Sequence, residues 1–164
     1  MTPRRGDVSD NTSLWNAFCD AVTRHCRFLE SEYGYRQVSR DPPFVIYRSD
    51  SIEVDMYYEP DRHPDLDLAI RKVNSDPSMG HSIHVEQLMR RVDGHVPEKQ
   101  PWGPAWTEND VEVQVKCLAG LLKTYGADIL RANERAFEDI DKAERAAIEA
   151  LKERQRSRGK KKGV

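Results

Sequence analysis

Four carboxylates on two neighbouring β-type runs are the residues best placed to do chemistry. Glu53, Asp55, Asp65 and Asp67 fall at alternate positions in and beside the runs 52–58 and 66–70, where Ile52, Val54, Met56, Tyr58, Leu66, Leu68 and Ile70 form the apolar set. Paired as a hairpin, the runs would bring these carboxylates within about 5–8 Å of their cross-strand neighbours on one polar face. Such a cluster suits acid–base catalysis, a divalent cation or a basic partner protein. The plain reading is a solvated strand face, although like charges directly opposite one another are destabilising. Tyr57 lies on the same face among the acids. An aromatic set among charges fits a protein contact surface better than a catalytic cleft.

Other groups are weaker candidates. His81 and His84 are three apart, with His95 further on. A zinc site needs three or four converging ligands with second-shell support, so solvent-facing loop histidines are the simpler expectation and no metal is assigned. Trp102 and Trp106 bracket Gly103-Pro104-Ala105 and either pin an irregular loop to the core or, exposed, act as contact anchors. Arg154, Arg156, Arg158, Lys160, Lys161 and Lys162 could neutralise nucleic-acid phosphates. No aromatic residue interleaves them, so base stacking adds nothing, and a solvated helix end is the plainer reading. The signatures GxxxxGK[ST], GxGxxG, GxSxG and HExxH do not occur. No catalytic residue and no cofactor is therefore assigned.

Bulk composition narrows the class. At 164 residues, 38% hydrophobic and 33% charged, the chain fits one domain with a thin core. The net charge is −2, unevenly spread: residues 152–164 carry seven bases against Glu153, a net +6, which leaves −8 on residues 1–151. Cys19, Cys26 and Cys117 show no CxxC spacing. Two helical turns would hold Cys19 and Cys26 about 10 Å apart, beyond disulfide reach, so reduced core thiols in a reducing compartment are expected. The first ten residues are polar and no run approaches the length of a membrane span, which points to the cytoplasm.

The elements that must position these residues follow from periodicity. Residues 1–10 read as a disordered lead. Leu14, Trp15, Phe18, Cys19, Val22, Cys26 and Leu29 predict a helix over 13–33, capped by Thr12 or Ser13 and ended by Gly34. Asp41-Pro42-Pro43 forbids helix, and the runs 44–47, 52–58 and 66–70 follow as strands. Val85, Leu88, Met89 and Val92 predict a short helix, which Ile83-His84-Val85 either extend or precede as a strand. Thr107 and Asp110 form a capping box for a helix marked by Val111, Val115, Leu118, Leu121, Leu122 and Tyr125, which Gly126 breaks or kinks. A last helical pattern runs from Ile129 through Ile140 and Ile148 to Leu151, with Asn133 as a possible cap. The expected fold is α+β: an N-terminal helix, a three-stranded antiparallel meander, then C-terminal helices packed on one sheet face. The domain spans 11–151, with 152–164 as a basic tail. Exposed Ile140, Ile148 and Leu151 on a projecting last helix would imply a homodimer or a partner-binding arm.

The segments VIYRSDSIEVDMYYEP, DLDLAI and LAGLLKTYGADILRANERAFEDI, across residues 14–141, resemble a group of small bacterial proteins. These combine a helix, a three-stranded meander and a C-terminal helical region with a YG-x-x-I/L-L turn, and some resemble immunity or antitoxin-like proteins. The resemblance implies a protein-binding module, such as a toxin-neutralising protein or a subunit of a bacterial defence system, and transfers no catalytic residue. With the charge layout, it predicts partner binding through Glu53, Asp55, Tyr57 and Asp67, with Trp102 and Trp106 as further contacts. The rivals are a nucleic-acid accessory protein acting through the tail and an enzyme built on the same carboxylates.

Overall fold

A computed structural model describes residues 8–61, 63–73, 82–96, 99 and 101–160. The helical stripe near the N-terminus forms α1 (Val8–His25) and α2 (Arg27–Tyr33), separated at Cys26; α1 starts before the expected position 13, so Thr12 and Ser13 lie inside the helix and do not cap it. Phe18, Ala21, Val22, Cys26 and Leu29 on this stripe are buried. Gly34 closes α2 at φ +73°, where glycine avoids the Cβ penalty. Its N–H donates to Glu30 O at 3.2 Å, and that of Tyr35 to Leu29 O at 3.0 Å.

Among the described residues five strands follow: β1 (Arg36–Ser39), β2 (Phe44–Arg48), β3 (Ile52–Glu59), β4 (His63–Lys72) and β5 (Ile83–His84). They pair in sequence order, all antiparallel. The expected three-stranded meander is therefore the centre of a five-stranded sheet. The sequence Arg36-Gln37-Val38-Ser39 buries nothing, and its one apolar residue, Val38, is 49% exposed, so β1 carries no alternating signal. β5 is only two residues long and runs directly into α3 (Val85–Asp93).

The remaining helices are α4 (Glu108–Tyr125), α5 (Ala127–Leu130) and α6 (Glu134–Lys160). Thr107 starts α4 with reciprocal bonds: its Oγ1 accepts the Asp110 N–H at 3.1 Å, and Asp110 Oδ2 accepts the Thr107 N–H at 3.0 Å. Gly126 follows the end of α4 with its N–H donating to Leu122 O at 2.8 Å, and a Cβ there would stand 2.6 Å from that oxygen, so the position takes glycine. Asn133 Oδ1 accepts the Arg135 N–H at 3.1 Å at the head of α6.

One sheet face carries Val45, Tyr47, Ile52, Val54, Met56, Tyr58, Leu66, Leu68 and Ile70, all buried. α1 packs on β3 and α4 on β4 across this face, and the two helices pack on each other. Phe18 links the layers, with its ring 5.0 Å from Trp15 and 5.4 Å from Tyr58. Among the described residues, no helix is long and apolar enough to cross a membrane.

Candidate interaction face

Period-two alternation that buries one sheet face necessarily presents the other. Among the described residues no element covers that other face, which carries Phe44, Ile46 and Arg48 from β2, Glu53, Asp55 and Tyr57 from β3, and Asp67, Ala69 and Arg71 from β4. Glu53, Asp55, Tyr57 and Asp67 thus share one surface. The register decides their electrostatics. Glu53 lies opposite Arg48 on one side and Arg71 on the other; Asp55 lies between Ile46 and Ala69; Tyr57 lies between Phe44 and Asp67. No two of these carboxylates sit directly opposite each other, so the repulsion of a facing pair does not arise.

The result is a charge-balanced row. Arg48 Nε donates to Glu53 Oε2 at 2.7 Å. Arg71 Nε stands 3.5 Å from Glu53 Oε1, in ion-pair range without a hydrogen bond, while its Nη2 pairs with Asp55. Arg71 is half-exposed, whereas the Asp55 side chain is only 4% exposed and its Oδ1 has no hydrogen-bond partner. Asp55 is flanked across the sheet by the apolar Ile46 and Ala69, so Arg71 supplies the charge that offsets a buried acid on this face.

At one end of the row, Phe44 and Tyr57 form an aromatic pair with centroids 5.0 Å apart, and Tyr57 OH donates to Glu59. Beside it, Asp67 Oδ1 is 3.1 Å from His84 Nδ1. The hydrogen bond to His84 holds the Asp67 carboxyl below its ordinary range, and the same bond raises the His84 imidazole above 6.5. A general acid at neutral pH needs the opposite shift in its carboxyl. The ion pair is complete between the two folded-state pKa values. Its His84 contribution is lost as pH rises through that group's raised pKa; its Asp67 contribution is lost as pH falls through the lowered one. An NMR titration of His84 is expected to give a midpoint above 6.5 that drops in Asp67→Asn; an unchanged midpoint would contradict the pairing.

Of the other residues singled out by sequence, Asp65 is exposed and bridges in antiparallel fashion to Pro104, at the sheet edge. Segment 101–106 is pinned there: the Ala105 N–H donates to Pro64 O at 2.8 Å, and Tyr58 OH donates to Ala105 O at 2.7 Å. Trp102 packs partly buried against the core, whereas Trp106 is 65% exposed. Trp102 thus helps to pin the segment, and Trp106 stands in the open. His95 approaches the backbone oxygen of Asp93, and His81 lies outside the described residues. Lys152, Arg154 and Arg156 are exposed on α6; Arg158 and Lys160 are placed by their helical backbone alone; Lys161 and Lys162 lie outside the described residues.

Phe44, Arg48 and Arg71 complete the face together with His84, which the sequence offers only as a weak metal-ligand candidate; none of the four is among the contact residues expected from the sequence. Their signal was the same alternation: Arg48 lies two residues beyond Ile46, and Arg71 two beyond Ala69. A separate pocket of about 410 Å³ opens where α1 meets the β3–β4 turn, walled by Trp15, Pro42, Pro43 and Tyr58 with Glu59 and Asp61 at its rim.

In comparisons with known proteins, no family model, curated protein or solved structure matches the chain.

Proposed function

We propose that the chain is a cytoplasmic protein-binding module whose contact surface is the uncovered face of the sheet. The observation that carries this reading is the Phe44–Tyr57 aromatic pair beside an ordered Arg48–Glu53–Arg71–Asp55 row. Aromatic residues and arginine are the types enriched in interface centres, and side chains already held in place lose little freedom on binding. The row is electrically balanced, so it contributes contact and hydrogen bonding, while the −8 carried by residues 1–151 steers a basic partner at longer range. A nucleic-acid-directed toxin has that charge, and the resemblance to immunity and antitoxin-like proteins makes such a toxin, or another subunit of a defence system, the partner class.

Capture from native cells with the tagged full chain, after nuclease treatment and washes at low and moderate salt, tests this. A stoichiometric protein retained through both washes supports the module. Recovery of no protein, or of nucleic acid alone, contradicts it. The second reading, nucleic-acid binding through the basic end of α6, is favoured by the exposure of Lys152, Arg154 and Arg156 on helix. In that reading deleting residues 152–164 abolishes salt-sensitive nucleic-acid binding; an intact interaction after deletion excludes it.

A further inference from the structure

α6 is two different helices in one. Its 27 residues extend about 40 Å. The first part is held down: Ala136, Phe137 and Ile140 are buried, Lys72 Nζ lies 4.6 Å from the Phe137 ring centre, and Arg90 reaches Glu144 at 3.4 Å. From Arg145 to Arg156 every residue is exposed. Ile148 and Leu151, three apart and therefore on one side of the helix, are 49% and 58% exposed. Ile148 also borders a small hollow with Ile83, Gln87 and Ile140, and together with Leu151 it forms an exposed apolar edge.

The charges along α6 say what covers it. Residues 134–145 hold five acids and three bases, net −2, while residues 146–160 hold two acids and five bases, net +3. Asp141 and Glu144 lie seven and four residues before Ile148, on its side of the helix. A parallel neighbour of the same kind would set acidic half against acidic half. An antiparallel one, with Leu151 of the partner subunit over Ile148, sets each acidic half against a basic half, twice by symmetry. The helix dipoles then also oppose.

We propose that the projecting part of α6 pairs antiparallel with the same segment of a second copy of this chain, through Ile148 and Leu151, with the acidic stretch around Asp141 and Glu144 facing the basic stretch that includes Lys152, Arg154 and Arg156. The seam is short, so the pair is reversible and salt-sensitive. It uses a surface separate from the sheet face, so it stands or falls independently of the module reading.

Sedimentation velocity on the full chain, over a range of concentrations at low and high salt, tests it. The expected result is a monomer–dimer equilibrium whose dimer fraction falls with salt. Ile148→Asp with Leu151→Asp should weaken self-association by roughly 100-fold or more without changing the circular dichroism, because both side chains are exposed. Asp141→Lys with Glu144→Lys, and separately Lys152→Glu with Arg154→Glu and Arg156→Glu, should each give monomer where the wild type dimerises; mixing the two variants should restore the dimer. A wild type that stays monomeric throughout, a dimer that survives the apolar substitutions, or a mixture that fails to associate would overturn the proposal.

Discussion

Replacing Arg71 with methionine is expected to lower the stability of the fold by about 2–3 kcal/mol, measured by urea unfolding. The Asp55 side chain is 4% exposed and lies on the central strand between Ile46 and Ala69. Its ion pair to Arg71 is its one described polar contact, since Oδ1 already has no partner. Removing one member of a fully buried pair typically costs about 3–5 kcal/mol; the lower figure here follows from the half-exposure of Arg71, which lets water replace part of the pairing. The double change Asp55→Val with Arg71→Met is expected to recover most of the loss, because a β-branched residue suits a central strand between two apolar neighbours. An Arg71→Met protein within about 0.5 kcal/mol of wild type, or a double variant no better than the single, would show that the carboxylate is not held by this arginine.

Substituting Phe44 by aspartate together with Tyr57 by alanine is expected to weaken binding of the captured partner by roughly 30-fold to 1000-fold, measured by calorimetric titration with the purified proteins. Phe44 is 37% exposed and its ring meets Tyr57 rather than the core, so truncation there removes contact area without opening a cavity. The loss is predicted because aromatic anchors at a desolvated interface centre carry most of its binding energy. Charge reversal at Glu53 should weaken binding through a different route: it breaks the contacts to Arg48 and Arg71 that orient both guanidinium groups. Unchanged affinity in the aromatic variant, with the fold intact, would place the interface elsewhere.

The elements that carry the candidate face were legible where burial imposed a period. The alternation in 52–58 and 66–70 marked β3 and β4 and put Glu53, Asp55, Tyr57 and Asp67 on one side. Thr107 with Asp110 marked the start of α4. β1 was illegible because an edge strand with an exposed valine has no apolar rhythm to read. The break at Cys26 left no trace either, since Cys26 and Leu29 keep the buried stripe going across it. What the acidic residues do was hidden for another reason. Alternation assigns a face but not a register, and the register is what places Arg71 opposite Glu53 and lets it cover Asp55. Read without that pairing, the face looked acidic; with it, the Arg48–Glu53–Arg71–Asp55 row is balanced. Trp102 and Trp106 show the same limit, because their spacing does not say which of the two packs on the core and which stands exposed.

The most direct measurement is an NMR map of the isotope-labelled chain on addition of the unlabelled partner. The largest changes are expected at Phe44, Ile46, Tyr57 and Ala69 on the uncovered face, with Val54 and Met56 on the helix-covered face little affected. Changes confined to α6 or to the pocket around Trp15, with the Phe44–Tyr57 pair undisturbed, would contradict the assignment of the sheet face as the binding surface.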